Sequence, residues 1–219
     1  MRVPVTLALL TGLSGPAAAE SAGILDTMGR FYQAWTPPDT DRSPLAALKR
    51  QGLDWGAAMQ TLGGLVDRPH NYLELRALLR LPDGQNSVGV LRAALYRNAG
   101  PDTVMVMNSE WCVAGRCTLS TRFQRVGADL NATDVQERQL VPAIGARDFV
   151  PADGPACLRG VSFGTTYLPA RSSATLTVLA TLPAAARQRC EAAGVNVDTA
   201  TRALTLRWNA DAGRFVRDW

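Results

Sequence analysis

Asn71-Tyr72-Leu73-Glu74-Leu75-Arg76-Ala77-Leu78-Leu79-Arg80-Leu81 places leucine or alanine at every second position. Successive side chains of a strand point to opposite faces, so this period predicts a half-buried strand with Leu73, Leu75, Ala77 and Leu79 toward a core. Pro82-Asp83-Gly84-Gln85 supplies turn chemistry, and Ser87 to Arg97 reads as the hairpin partner. Asn98 to Asp102 turns again, followed by strands over Thr103 to Trp111 and Cys117 to Val126. In the last of these, Leu119, Thr121 and Phe123 share one side and Ser120, Arg122 and Gln124 the other. Four consecutive antiparallel strands make a meander.

Upstream the period changes. Ile24, Leu25, Met28, Phe31, Tyr32 and Trp35 fall at helical spacing, and Pro37-Pro38 ends that helix. Ser43-Pro44 opens a second helix, with serine as N-cap and proline at the first helical position, and Asp54 caps a third. The apolar residues of that third helix run through Ala57, Ala58, Met59, Leu62, Leu65 and Val66, and Gly63-Gly64 leaves its end open. Downstream, 127–156 reads as a long irregular acidic segment with a short helix after Thr133. Val161 to Leu168 and Ser172 to Leu182 read as strands, Pro183 to Ala193 as a helix, and Ala203 to Asn209 with Arg214 to Trp219 as a closing hairpin. Helices first and strands together afterward, without βα alternation, predict an α+β fold. Its N-terminal helices pack on a curved antiparallel sheet, a four-strand meander followed by strand-strand-helix-strand-strand.

At 47% hydrophobic and 19% charged, the 219-residue chain is too apolar for disorder. Of 23 basic residues only Lys49 is lysine, a bias typical of a GC-rich bacterial genome. Arg2, the apolar run Val5 to Leu13 and the small residues Ala17-Ala18-Ala19 read as a secretory signal peptide over residues 1–19, leaving 20–219 as a single α+β domain. The expected location is periplasmic or secreted, with no transmembrane segment in the mature chain.

Export sets the reading of the cysteines. In an oxidising compartment four of them read as two disulfides. Cys112 and Cys117 flank a four-residue hairpin loop, which sets them opposite each other; Cys157 and Cys190 then pair by elimination. Zinc would need short paired spacings or neighbouring histidines, and a thioredoxin-type pair would need C-x-x-C. Neither is present, so no metal or cofactor is expected. Trp111, beside Cys112, is expected to pack on that bridge.

Gly160-Val161-Ser162-Phe163-Gly164 is a literal G-x-S-x-G. The α/β-hydrolase elbow needs a strand-to-helix turn and a later histidine, whereas His70 precedes Ser162 and strand follows it. The order His70, Asp83 or Asp102, Ser162 matches the chymotrypsin-type order, but Val161 and Phe163 depart from the trypsin-like motif where an oxyanion hole is built. A serine hydrolase using Ser162 with His70 and Asp102 is therefore the alternative rather than the main reading.

The strands are the basic part: residues 68–126 carry 8 arginines against 4 acids. Arg76, Arg80, Arg92 and Arg122 form a candidate anionic-ligand face for an acidic partner protein, an anionic lipid or a polysaccharide. Aromatic residues do not interleave with them as nucleic-acid binding would require, so no nucleic acid is expected. The sequence points to a non-catalytic binding or envelope-associated module, or to an inhibitor or partner of another periplasmic protein.

Overall fold

The computed structural model describes residues 22–81 and 83–218. The signal-peptide stretch 1–19 and Trp219 lie outside those residues.

Three short helices come first: α1 (Ile24–Ala34), α2 (Pro44–Arg50) and α3 (Trp55–Thr61). Their starts follow from the capping residues. Ser43 Oγ accepts from the Ala46 amide at 3.2 Å with Pro44 behind it, and Asp54 Oδ1 accepts from the Ala57 amide at 2.8 Å. α1 buries Ile24, Met28 and Tyr32, and the Tyr32 hydroxyl donates to the Leu53 carbonyl at 3.1 Å.

A six-stranded antiparallel sheet follows in chain order: β1 (Gly63–Asp67), β2 (Tyr72–Arg80), β3 (Asn86–Arg97), β4 (Thr103–Val113), β5 (Arg116–Val126) and β6 (Ala132–Asp134). The meander read from sequence is its centre, and β1 and β6 extend it at either edge. Gly63-Gly64 does not close a helix but opens β1. A Cβ on Gly64 would lie 2.5 Å from the Glu74 carbonyl oxygen, so only glycine lets the strands approach there.

The remaining strands do not join this sheet. β7 (Gly164–Pro169), β8 (Thr175–Thr181), β9 (Leu204–Asn209) and β10 (Arg214–Arg217) form a second antiparallel sheet in the order β10-β9-β8-β7. The single curved sheet expected from sequence is thus corrected to two. The segment 127–156 holds β6, α4 (Glu137–Leu140) and α5 (Ala146–Phe149). α6 (Ala184–Ala192) and α7 (Val197–Ala200) lie between β8 and β9.

The six-stranded sheet is the middle layer. Leu73, Ala93, Met105 and Met107 point to the helices, while Tyr72, Ala94, Val106 and Phe123 point to the second sheet. Fully burying each of the larger side chains contributes roughly 1.5–3 kcal/mol. On the second-sheet side, Phe215 packs edge-on against Tyr96 and Trp208 with ring centroids 4.8 Å apart in each case. The Trp208 indole N–H donates to the Arg97 carbonyl at 2.7 Å and the Tyr96 hydroxyl to the Thr175 carbonyl at 3.0 Å, so buried polar atoms also join the layers. Arg217 binds the Asp148 carboxylate, one of its bonds spanning 3.0 Å, and holds that carboxyl below its usual range.

Both expected cysteine pairs are joined. Cys112–Cys117 closes the β4–β5 hairpin with Cα atoms 3.9 Å apart, and Cys157–Cys190 ties the 3₁₀ turn Ala156–Leu158 to α6 at 5.2 Å.

Candidate functional site

The helices pack against β2 and β3. The inward face of β4 and β5 extends past that cover, and the mismatch leaves a cavity of about 810 Å³. Strand register orders its floor. Leu75, Leu91, Ser109 and Ser120 form one row across β2 to β5, and Ala77, Gly89, Trp111 and Thr118 form the next. Phe31 of α1, Trp35 just after it, Leu45 of α2 and Leu62 close it from the helical side. The inner wall is mostly apolar, with Thr40 to Ser43 on the helical side and Gln85 adding polar groups. The outer wall is the inward row of β5, namely Arg116, Thr118, Ser120 and Arg122.

This wall stands at an open rim. β6 pairs only with Gln124, Arg125 and Val126, so among the described residues no strand covers the outer edge of β5 over 116–122. Arg116, Thr118 and Arg122 are exposed there. Of the three arginines lining the cavity, Arg42 pairs with Asp83 at 3.2 Å, whereas Arg116 and Arg122 have no ion-pair partner among the described residues. Two carboxylates also reach the lining. Asp41 accepts from the Ser43 amide at 2.8 Å, and Glu110 alternates with Ser109 and Trp111, which puts it on the opposite face of the strand.

The four candidate arginines divide by strand parity. Arg76, Arg80 and Arg92 lie on the face turned away from the helices, in the alternating set of Tyr72 and Glu74. Arg122, directly across from Met107, lies on the cavity face and does not join them. Two of those three share one counter-charge: Glu74 Oε1 binds Arg76 at 2.7 Å and Oε2 binds Arg92 at 3.3 Å. Burial pushes the Glu74 carboxyl up, but hydrogen bonds from Arg76 and Tyr72 and the Arg92 charge outweigh it and leave it below its ordinary value. Burial, with the adjacent Glu74 charge, pushes the Tyr72 phenol up to about 12. Trp111 turns into the cavity, on the face opposite Cys112, rather than onto the disulfide.

Ser162 is exposed in the loop before β7, and Asp102 lies in the β3–β4 turn. His70, in the β1–β2 turn, bonds through Nδ1 to Asp67 at 2.9 Å, and not to Ser162, Asp83 or Asp102. Asp67 also accepts from Arg171 at 2.8 Å; that bond first, then His70, holds its carboxyl below the usual range. Among the described residues, no group of three or more His, Cys, Asp or Glu could hold a metal ion. No helix of the described residues is long and apolar enough to cross a membrane.

The sequence reading missed the cavity and the roles of Arg116, Thr118 and Ser120. The usable signal was the polar alternation Arg116-Thr118-Ser120-Arg122 on the side of β5 that the register turns toward the helices.

Comparison with protein-family models finds no match. Comparison with curated proteins finds none either. Among solved structures, the chain is similar to a domain of an uncharacterized protein from Porphyromonas gingivalis W83, at 14% identity and a TM-score of 0.44, over 90% of this chain and 98% of that one. The functional reading therefore rests on the cavity itself.

Proposed function

We propose that this is an exported binding module that holds a small, largely apolar molecule between α1–α2 and the inward face of β2 to β5. The observation that carries the reading is the cavity. Its volume of about 810 Å³ lies within the range of small-molecule pockets, and an apolar interior meets a short polar wall at one side. The two disulfides are consistent with an extracytoplasmic location. The separation of His70 from Ser162 in the hydrogen-bond pattern favours binding over serine chemistry.

Trp35 and Trp111 both line the cavity and report on its contents. Titrating the oxidised protein with an environment-sensitive anilinonaphthalene dye should give saturable binding with quenched tryptophan emission. Ala77→Trp, which fills the floor, should abolish it without lowering the melting temperature. Saturable binding that survives Ala77→Trp unchanged would place the ligand elsewhere and sink the reading.

A further inference from the structure

We infer that the ligand of this cavity is an anionic amphiphile, an acyl or alkyl chain ending in a carboxylate or phosphate, with its head at Arg122, Ser120 and Ser109. The inference rests on the cavity being the binding site and adds the chemical class of the ligand.

The inner and outer walls differ in kind. Leu75, Leu91 and Met107 on the floor and Phe31, Trp35 and Leu45 on the helical side offer a chain only apolar surface. At the rim, Ser109 and Ser120 are directly paired across β4 and β5, and Arg122 follows Ser120 by two residues on the same side of the strand. That places two hydroxyls and a guanidinium within about 7 Å steps of one another along one strand face. Hydroxyls can donate to an anion, and a guanidinium matches carboxylate and phosphate with paired N–H donors.

Arg122 is available for such a ligand. Arg76 and Arg92 are committed to Glu74 and Arg42 to Asp83, while Arg122 has no ion-pair partner among the described residues. Asp41 and Glu110 also reach the lining, and neither forms an ion pair with Arg122 among the described residues. Arg116 is likewise unpaired, but stands six residues away on the same strand, about 20 Å by strand rise. It serves the approach of an anion rather than its seat.

The test uses three probes with one chain length, each below its micelle concentration: hexadecanoic acid, hexadecyl phosphate and hexadecanol. Binding is read by tryptophan quenching at pH 7 on the full oxidised chain. An acid or phosphate affinity at least about tenfold above that of the alcohol is expected, the size of one charge-assisted hydrogen bond. Arg122→Gln should remove that preference by weakening the acid and the phosphate at least about tenfold more than hexadecanol; Arg122→Lys should restore most of it, and Arg116→Gln should change it less than about threefold, on the order of a screened rim charge. Preference for the acid alone or the phosphate alone supports the inference and identifies the head. Equal binding of all three probes overturns the head-group assignment and leaves the cavity reading standing. Binding of none of them overturns both.

Discussion

On one face of the central sheet, Tyr72, Val106 and Phe123 meet a second sheet that interlocks with them through Phe215, Trp208 and Tyr167. On the other, Leu73, Met105 and Met107 meet three helices, and the floor beyond that cover becomes a cavity. The same strands supply both faces. The difference lies in how the cover packs: the second sheet seats its rings tightly on Tyr72, Val106 and Phe123 and leaves the far end of that face, at Leu78, Val88 and Leu119, exposed, whereas three helices of 7 to 11 residues leave a cavity over the other face. Dense packing specifies structure, and incomplete cover leaves room for a ligand.

The largest expected effect falls on the packed face. Phe215→Ala removes a fully buried ring and should cost about 3–5 kcal/mol in urea unfolding. Leu91→Ala, on the cavity face, should cost at most about 2 kcal/mol, because part of that side chain already borders open volume. Equal costs would break the contrast between the faces.

The disulfides sharpen it next. Cys157–Cys190 closes a sequence separation of 33 and Cys112–Cys117 one of 5. Loop entropy predicts a loss of about 3–4 kcal/mol for the paired Cys157→Ala and Cys190→Ala change, against about 2 kcal/mol for Cys112→Ala with Cys117→Ala. The second change should weaken ligand binding more than the first, since the hairpin it releases carries Trp111 and Val113 of the cavity lining. Chemical denaturation and dye titration on the two variants measure both effects.

Acid provides a smaller handle. The Asp67 and Asp148 carboxyls are held below their ordinary values in the fold, chiefly by bonds from Arg171 and Arg217 respectively. A carboxyl with a lowered folded-state pKa stabilises fully above the unfolded value near 4, and that stability is lost as pH falls through the folded value. The melting temperature should therefore fall below about pH 4, with a shallower acid limb in Asp148→Asn. Smallest of all, Leu78→Ser on an exposed strand position, 70% accessible, should change stability by less than about 0.5 kcal/mol.

The middle layer was legible because β2 alternates cleanly and the turn at Asp83-Gly84 leaves one hairpin register. Its second cover was present in the sequence in a subtler form. Ala93 to Tyr96 and Val104 to Met107 are unbroken apolar runs, and all eight side chains are buried. Such runs mark a strand covered on both faces, which a single helix-backed sheet does not provide. Strand β1 was hidden by Gly63-Gly64, whose need for close approach appears only once Glu74 lies opposite. The cavity could not be read from any residue alone, because it arises where the helices leave Ser109, Trp111 and the inward row of β5 uncovered. Arg122 illustrates the limit: its charge placed it with Arg76 and Arg92, and only register put it on the other side.

The layer order also has a consequence for a chain that lacks its C-terminal part. The helices and the central sheet are encoded in residues 24–134 and the second sheet in 164–217. Without the second sheet, Tyr72, Val104, Val106 and Phe123 would face water. That surface is an adhesive apolar plane of the kind that draws incomplete chains into aggregates. A chain truncated before β7 should therefore emerge as insoluble material even though its cavity-bearing half is complete.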